Sequence, residues 1–509
     1  MFKKSSLLTL VLLLLVGCAT GGRDERSELK NYFKTKALDL GLKFLEESKF
    51  YKSDKERLLF LMEKSIFLHQ KGEYHESNIV LQSAKELSQQ LYTISLSNKV
   101  EEVIINDNAD KYYGDVYEIS MLYFYSSLNS LLLYNQNGNR DDLFKARAEI
   151  LAWDSFLTSV KDDRVGKTVY KKDLVLKLYG AKIHELIGTR DDEQIAKNLY
   201  QEALEVILKN YNTYPAFNHK YLSFKKDYAK LPSLKLDVLN KEYIDPTEHQ
   251  KNLKTFIEKN IERLKQKKHS GQISIIVDNE MIAEKIADKT SFGLQGLSNE
   301  PFFRFFMADV LGMTPGPSQY NPSGVYAGVM TADAAMKLFT FSFEVPKVRN
   351  TNDYAILKIN IYDKEKKLIS TENLNLLNPM GDIAEEAVLE SSAATYARVG
   401  ARLATKHLAA ITASFATYKA LGGGKGKDNL WPRNAAILQY AAATRLIEES
   451  EKADTRYWST LPNEIRIADL NLKPGEYEVE LVKSETEKII LGKIVVDEKM
   501  EKRIFHFRN

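Results

Sequence analysis

Residues 58–87 read LLFLMEKSIFLHQKGEYHESNIVLQSAKEL. Apolar residues recur every three or four positions on both sides of Gly72, which is the helical period, and a glycine between two such runs supplies a turn. The stretch therefore predicts two helices folded back on each other. Tyr74 would plug the turn, and the small side chains of Ser77 and Ala84, flanking Leu81, would let the second helix approach the first. From residue 30 to about 266 the chain keeps this character. It is rich in Leu, Lys, Glu and Tyr, and no run alternates convincingly as a strand would.

Gly72, Tyr74, Ser77, Leu81, Ala84 and Leu87 fall at a spacing that resembles a tetratricopeptide repeat. The small–large–small core of that pattern recurs in a looser version at Ala146, Ile150 and Trp153, and again at Ala196, Tyr200 and Ala203. The steps are 69 residues (146 − 77) and 50 residues (196 − 146), not the roughly 34 of a regular array. Two readings stay open at this point: degenerate helical-hairpin repeats, or a plain helical bundle. Repeats of this kind present a concave surface to a protein or peptide. The chain has 27 tyrosines, and at helical spacing they are expected in the core rather than as a ligand platform.

After the basic joint KQKKHSG, residues 265–271, the period changes to two. QISIIVD, KLFTFSFEV (337–345) and YAILKINIYD (354–363) alternate as strands, and 354–377 read as a hairpin. A long helix is expected over 382–421, with a seam of Ala394, Ala397, Ala401, Ala404, Leu408, Ile411, Phe415 and Tyr418 facing a second helix over 432–451. EIRIADLNL and YEVELV, joined through Pro474-Gly475, read as a hairpin with a type II turn. KIILGKIVVD and KRIFHF would complete a small antiparallel sheet. The expected architecture is α + (α+β): helical repeats over 30–266, then an α+β domain over 271–509 that carries an alanine-rich helical hairpin.

Ahead of both halves stands a leader. Lys3 and Lys4 precede an apolar run from Leu7 to Val16, broken by Thr9. Ten such residues fall short of the roughly 20 that span a bilayer and fit a secretory signal instead. Leu15-Val16-Gly17-Cys18 resembles the lipobox of bacterial lipoproteins. The resemblance implies cleavage after residue 17, lipidation of Cys18, and membrane attachment through that lipid, since two or more acyl chains anchor stably. By resemblance to enterobacterial sorting, Ala19 in place of Asp implies the outer membrane, and a periplasm-facing position is expected. Residues 18–29 would form a polar tether.

Composition excludes several chemistries. The formal net charge is +3 from 72 basic and 69 acidic residues, so nothing electrostatic favours nucleic acid. One cysteine excludes an intrachain disulfide and multi-cysteine metal sites. No cofactor, metal ligand set or catalytic constellation is expected. The loop 312–328 offers Ser318, Tyr320 and Asn321 without a neighbouring activating group. LGGGKGKDN (421–429) fails as a phosphate loop in spacing, residue type and context. Phe302, Phe303, Phe305 and Phe306 read as a short buried helix, or else as a membrane-dipping or partner-binding patch. Asp454, Arg456 and Trp458 read as a buried ion pair with a tryptophan that locks a helix end onto the sheet, or else as a binding site.

The series Asp454, Arg456, Trp458, Leu461-Pro462, Ile465, Ala468, Leu470, Leu472 and Pro474-Gly475, in a chain with this order of parts, resembles a largely uncharacterised family of bacterial outer-membrane lipoproteins. That resemblance implies a role near envelope or peptidoglycan assembly and brings no catalytic residues. The expectation is a lipid-anchored, non-enzymatic scaffold that binds envelope proteins through its helical half. A carrier of lipid or another apolar ligand is the alternative, and a peptidoglycan hydrolase a more distant one.

Overall fold

Helical hairpins in the amino-terminal half follow from glycines placed where only a left-handed residue closes the turn. Helices α1 (Arg23–Lys34) and α2 (Leu38–Glu47) lead into α3 (Arg57–Lys71), which ends at Gly72, and α4 (Tyr74–Ser97). The second pair is α5 (Val116–Asn137) and α6 (Arg140–Ser159), turning at Gly138; the third is α7 (Leu174–Ile187) and α8 (Arg190–Lys209), turning at Gly188. All three glycines have φ between 70° and 81°, the region that L side chains avoid. Asn139 and Thr189 then cap the following helices through their side chains. The pairs stack in chain order, and α9 (Glu248–Lys265) packs against α8. This computed structural model describes residues 22–97, 111–160, 172–219, 245–266, 272–293, 340–423, 430–497 and 502–509.

The other half is built on nine strands among the described residues: β1 (Gln272–Met281), β2 (Glu284–Gly293), β3 (Thr340–Arg349), β4 (Leu357–Tyr362), β5 (Leu368–Asn378), β6 (Pro462–Asn471), β7 (Gly475–Val482), β8 (Lys488–Val496) and β9 (Lys502–Arg508). Seven of them form one sheet in the order β8-β7-β4-β5-β6-β1-β9, while β2 and β3 form a separate ribbon. The class is therefore α+β, as expected, with two corrections. The sheet is mixed rather than antiparallel, because β9 runs parallel to β1. And β6 and β7 do not pair as a hairpin across Pro474-Gly475, because the β4–β5 hairpin lies between them.

Strand periodicity divides the sheet into two faces. Ile273, Ile275, Val277, Ile359, Ile361, Leu470, Val479 and Leu481 close around one core. The sheet curls so far that Gly492 of β8 lies against the ring of Phe507 on β9. The alternate residues Ile276, Leu376, Ile465, Ile467 and Ile504 join the helical hairpins in a second core. Helical layer and sheet thus share one apolar core.

From this body an arm extends. Helix α10 (Met380–Ala420) starts in the shared core at Met380, Ile383 and Ala384, and at 41 residues runs to roughly 60 Å. Helix α11 (Leu430–Ser450) returns along it. The buried line on the outer half of α10 is Val399, Leu403, His407, Ile411, Ser414 and Tyr418, whereas Ala401 is exposed and Ala404 partly so. The expected alanine seam is thus displaced. Buried Arg402 and His407 turn toward Glu451 and Tyr440, and this pairing sets the side on which α11 packs. No helix among the described residues is long and apolar enough to cross a membrane.

The stretch expected as a tether is helical from Arg23, and α1 is docked. Leu29 and Phe33, four residues apart, are buried on one face. Arg26 reaches Thr455, and Lys30 reaches Glu284 on β2. Cys18, the four phenylalanines of 302–306, the 312–328 loop with Ser318, Tyr320 and Asn321, and residues 424–429 lie outside the described residues.

Candidate functional site

A dense constellation of ionisable groups sits where the helical layer meets the segment Glu451–Leu461, called here the strap. Period-two alternation along β1 and β9 puts Asp278 on the side of Ile276, and His506 and Arg508 on the side of Ile504, which is the side toward the helices. Helices α3 and α5 point Glu63, His69, Glu118 and Tyr125 at the same region.

Carboxylates of the helical layer grip the strap residue by residue. Arg456 donates to Asp454 through Nε at 2.9 Å and Nη2 at 2.7 Å, and through Nη1 to Glu56 at 3.0 Å. The backbone N–H of Trp458 donates to Glu118 at 2.7 Å. Ser459 donates to Glu63 Oε1 through its N–H and its hydroxyl, both at 2.7 Å, and Thr460 donates to Glu63 Oε2 at 2.5 Å. Arg508 holds the carbonyl of Thr460 at 2.6 Å. Glu118 also accepts from Tyr112 and from the N–H of Asp115, whose own carboxylate lies 3.3 Å from Lys285 of β2.

Burial sets the protonation of these groups. It pushes Glu56 and Glu63 up from the usual carboxylate range against the pull of their donors. Burial and the nearby charge of Asp115 push Glu118 up to about 7. Asp454 goes the other way: burial opposes ionisation, but the Arg456 guanidinium holds the carboxyl below its ordinary range.

A second network adjoins the first. Asp278 accepts from Tyr125 at 2.6 Å and lies 3.2 Å from His506 Nε2 and 3.5 Å from Arg508. Burial opposes its charge, yet His506 and Arg508 hold it below the usual range. The His69 ring stands 5.1 Å from that of His506 and 5.2 Å from that of Tyr125, with Nδ1 2.6 Å from Asn129. Burial and the neighbouring His506 push His69 down to about 3, so it is neutral. Asn129 in turn donates to Ser77, whose hydroxyl donates to the Ser65 carbonyl of α3. Ser77, singled out in the sequence for its size, is thus one end of a chain that runs through Asn129 and His69 to the sheet.

A third network ties α7 and α9 to the sheet. Lys182 donates to Asp469 at 2.7 Å. Glu185 accepts from Arg263, Lys502 and Tyr200. Burial opposes its charge, but Lys182, Arg263 and Lys502 hold Glu185 down at about 2.

The remaining sequence-selected residues lie within the hairpins. Gly72 ends α3, and Tyr74 begins α4 with its ring 5.5 Å from that of His69. Leu81, Ala84, Ala146, Ile150, Trp153, Ala196 and Ala203 are buried between paired helices, and the Ala146 carbonyl accepts from Ser127 of α5. The three triplets are not in one register. Ala146 and Ala196 each fall eight residues after the turn glycine (146 − 138, 196 − 188), whereas Ser77 falls five after Gly72. A stronger repeat signal stands at the turns: Gly138-x-Arg140-Asp141-Asp142 and Gly188-x-Arg190-Asp191-Asp192. Its last aspartates are both buried. Asp192 lies 2.6 Å from His184 and Asp142 accepts from Asn137, so each ties a turn to the preceding helix.

In chemical terms the strap site is a clamp. The hydroxyls of Ser459 and Thr460 are engaged by Glu63, and His506 faces the Asp278 carboxylate and the His69 ring. Among the described residues no group of three or more His, Cys, Asp or Glu could hold a metal ion. Asp454, Arg456 and Trp458 join the strap to Glu56 and Glu118 of the helical layer. Compared with protein-family models, curated proteins and solved structures, the chain matches none.

Proposed function

We propose that the chain is a lipid-anchored protein of the bacterial cell envelope, held through Cys18, that serves as a non-enzymatic interaction scaffold, and that its helical hairpins are degenerate tetratricopeptide-like repeats. The lipobox carries the first part, and the repeated Gly-x-Arg-Asp-Asp turns carry the last.

One observation shapes the scaffold reading. The first helix of each hairpin, α3, α5 and α7, turns its polar groups to the chain's own strap and sheet. The inner surface that a repeat array would offer a peptide is occupied from within. The second helices, α4, α6 and α8, carry exposed Ile79, Phe144, Leu151, Ile195 and Leu208. A partner of the helical half would therefore meet the outer helices. Photo-crosslinking residues introduced in cells at Ile79, Leu151 and Ile195 should each capture the same envelope protein, and one at buried Leu128 should capture none. Free outer positions, together with unchanged membrane fractionation of a Cys18→Ala variant, would overturn the proposal.

A further inference from the structure

The arm is built inside out for a helical hairpin that stands in water. Its seam buries His407, Ser414, Tyr440 and Thr444 beside Ile411 and Ala436. Large apolar groups lie on its outside instead. On α11, Trp431 is 65% and Leu438 67% exposed. Seven residues apart, they share one helix face with exposed Ala442, and exposed Arg445 closes that stripe at the root end. No Asp, Glu, Lys or Arg occurs over 434–444 of α11 or over 407–418 of α10. Small and hydroxyl-bearing residues between helices, with large apolar ones outside, is the arrangement expected where lipid rather than water lies outside. The uncharged stretches fall short of the roughly 20 residues that span a bilayer. The fit is therefore to a helix lying in the bilayer surface, with its apolar face a few ångströms deep.

Charge names the kind of surface. Residues 391–447 hold eight Lys or Arg against one acid, Asp428, a net of +7 (8 − 1) in a chain whose total is +3, so the rest of the chain sums to −4 (3 − 7). Glu451 at the root matches Arg402 and Lys406, and Glu449 lies 3.3 Å from Arg445. The excess that remains favours an anionic partner. A second copy would bring the same positive excess against the first, so like-charge repulsion opposes pairing of arm with arm. Tryptophan suits the boundary between headgroups and hydrocarbon, because its ring is apolar and its N–H is not. Position agrees as well. Helix α11 ends at Ser450, and Arg26 of α1 holds Thr455 of the strap just beyond it. Cys18 precedes Gly22, the cap of α1, by four residues, a reach of at most about 14 Å.

We propose that the face of α11 formed by Trp431, Leu438 and Ala442 rests on an anionic phospholipid surface, drawn there by the arm's positive charge, and that the arm is a reversible membrane contact separate from the amino-terminal lipid. The proposal rests on the envelope reading only in taking a bilayer to be within reach. The two contacts differ physically. Acyl chains hold through buried methylenes and are indifferent to salt, whereas a shallow apolar face assisted by charge lets go as salt screens the headgroups. A high-salt wash before fractionation therefore removes the arm's contact and leaves that of Cys18.

The chain from Ala19 onward keeps every described residue and lacks the lipid, so vesicles added to it test the arm without the anchor. Trp431 is the reporter, because Trp153 and Trp458, the other two tryptophans, are fully buried. On vesicles of equal parts phosphatidylcholine and phosphatidylglycerol, its emission should shift to the blue and be quenched by brominated acyl chains. Partition measured by co-sedimentation should fall at least about tenfold on phosphatidylcholine alone, and at least about tenfold in the double variant Trp431→Ala, Leu438→Ser. Both side chains are exposed, so the thermal midpoint of that variant should match the wild type; Leu438→Ser alone keeps the reporter and should show a weaker shift. Emission that does not move, equal partition on the two kinds of vesicle, or a double variant that binds within about twofold of the wild type would each overturn the proposal. Dimers of the vesicle-free chain that the double variant abolishes, without vesicle binding, would give the face to a second copy and overturn it too. None of these outcomes bears on the Cys18 anchor, which fractionation of Cys18→Ala after the salt wash decides.

Discussion

Arg456 occupies a position with no inexpensive substitute. Its side chain is 2% exposed and bridges Asp454 of the strap and Glu56 of the helical layer. Replacing it with alanine leaves two carboxylates facing each other in a desolvated seam. The expected loss is roughly 3–5 kcal/mol, the usual range for breaking a buried pair from one side, and urea unfolding of Arg456→Ala would measure it. At Ser77 the expectation is milder. Ser77→Ala removes a bond to the Ser65 carbonyl and strands one Asn129 donor, and should cost roughly 1–3 kcal/mol in the same assay. How much of this was legible differs between the two. Ser77 could be found because small residues at helical spacing announce a close helix contact. The hydrogen-bonding and ion-pairing residues of the clamp could not: Arg456 and Glu56 lie 400 positions apart, and Glu63 and Thr460 lie 397 apart, and no local pattern links such partners. The sequence did single out Asp454, Arg456 and Trp458 as a buried pair with a locking tryptophan, because the residue types suit that role. What it lacked was the set of glutamates on the other side.

Among elements, the period of the apolar residues located most helices and strands, because period is a property of neighbours. β2 escaped notice: EKIADKTSFG has few apolar residues, since it pairs with β3 on one side and faces outward over much of its length. The order of strands escaped too. Pro474-Gly475 is a strong local turn signal, yet the strands on either side of it bind β5 and β4 rather than each other. Local chemistry fixes a bend; pairing depends on which distant edge is free. Two element-scale outcomes follow. Gly138→Ala and Gly188→Ala impose a side chain at φ near 70°, and each should cost about 1 kcal/mol, additively because the turns belong to separate hairpins. On the arm, Glu451 is 1% exposed and binds both Arg402 and Lys406. Glu451→Gln should speed amide exchange in α11 and the outer half of α10 while the β1–β6 ladder keeps its protection.

For the whole molecule, stability should be eroded at both ends of the pH scale by different groups. Burial holds His69 at about 3 and His407 at about 4, and pushes His249 down as well. Each stays neutral when folded but takes a proton near pH 6.5 when unfolded, so the unfolded chain binds more protons and stability falls as pH drops below about 6.5. Glu118, pushed up to about 7 by burial, acts with the opposite sign: its contribution is present below the ordinary carboxylate range and is lost as pH rises toward about 7. The urea midpoint of the wild type, taken relative to that of His69→Gln, should rise from pH 4 to about 6.5; a difference that stays flat over that range would contradict this account. The continuous core makes a further statement about the halves. A fragment of residues 23–266 keeps its hairpins but uncovers Glu63, Glu118 and Lys182, with the apolar surface around them. It should bind a hydrophobic dye and unfold without a sharp transition, while the full chain shows one. Two independent sharp transitions of the full chain would refute that coupling.

The parallel pairing of β9 with β1 also bears on time. A polypeptide is made from its amino end, at about 5–20 residues per second. Arg456 follows Glu56 by 400 residues, so roughly 20 to 80 s of synthesis separate the clamp from what it grips. β9, which supplies Arg508 to Asp278 and Thr460, arrives later still. The hairpins are ready early but can be covered only by the last parts made. Over that interval the nascent chain shows its inner helices to whatever is nearby, and a shielding companion would have its one opportunity there.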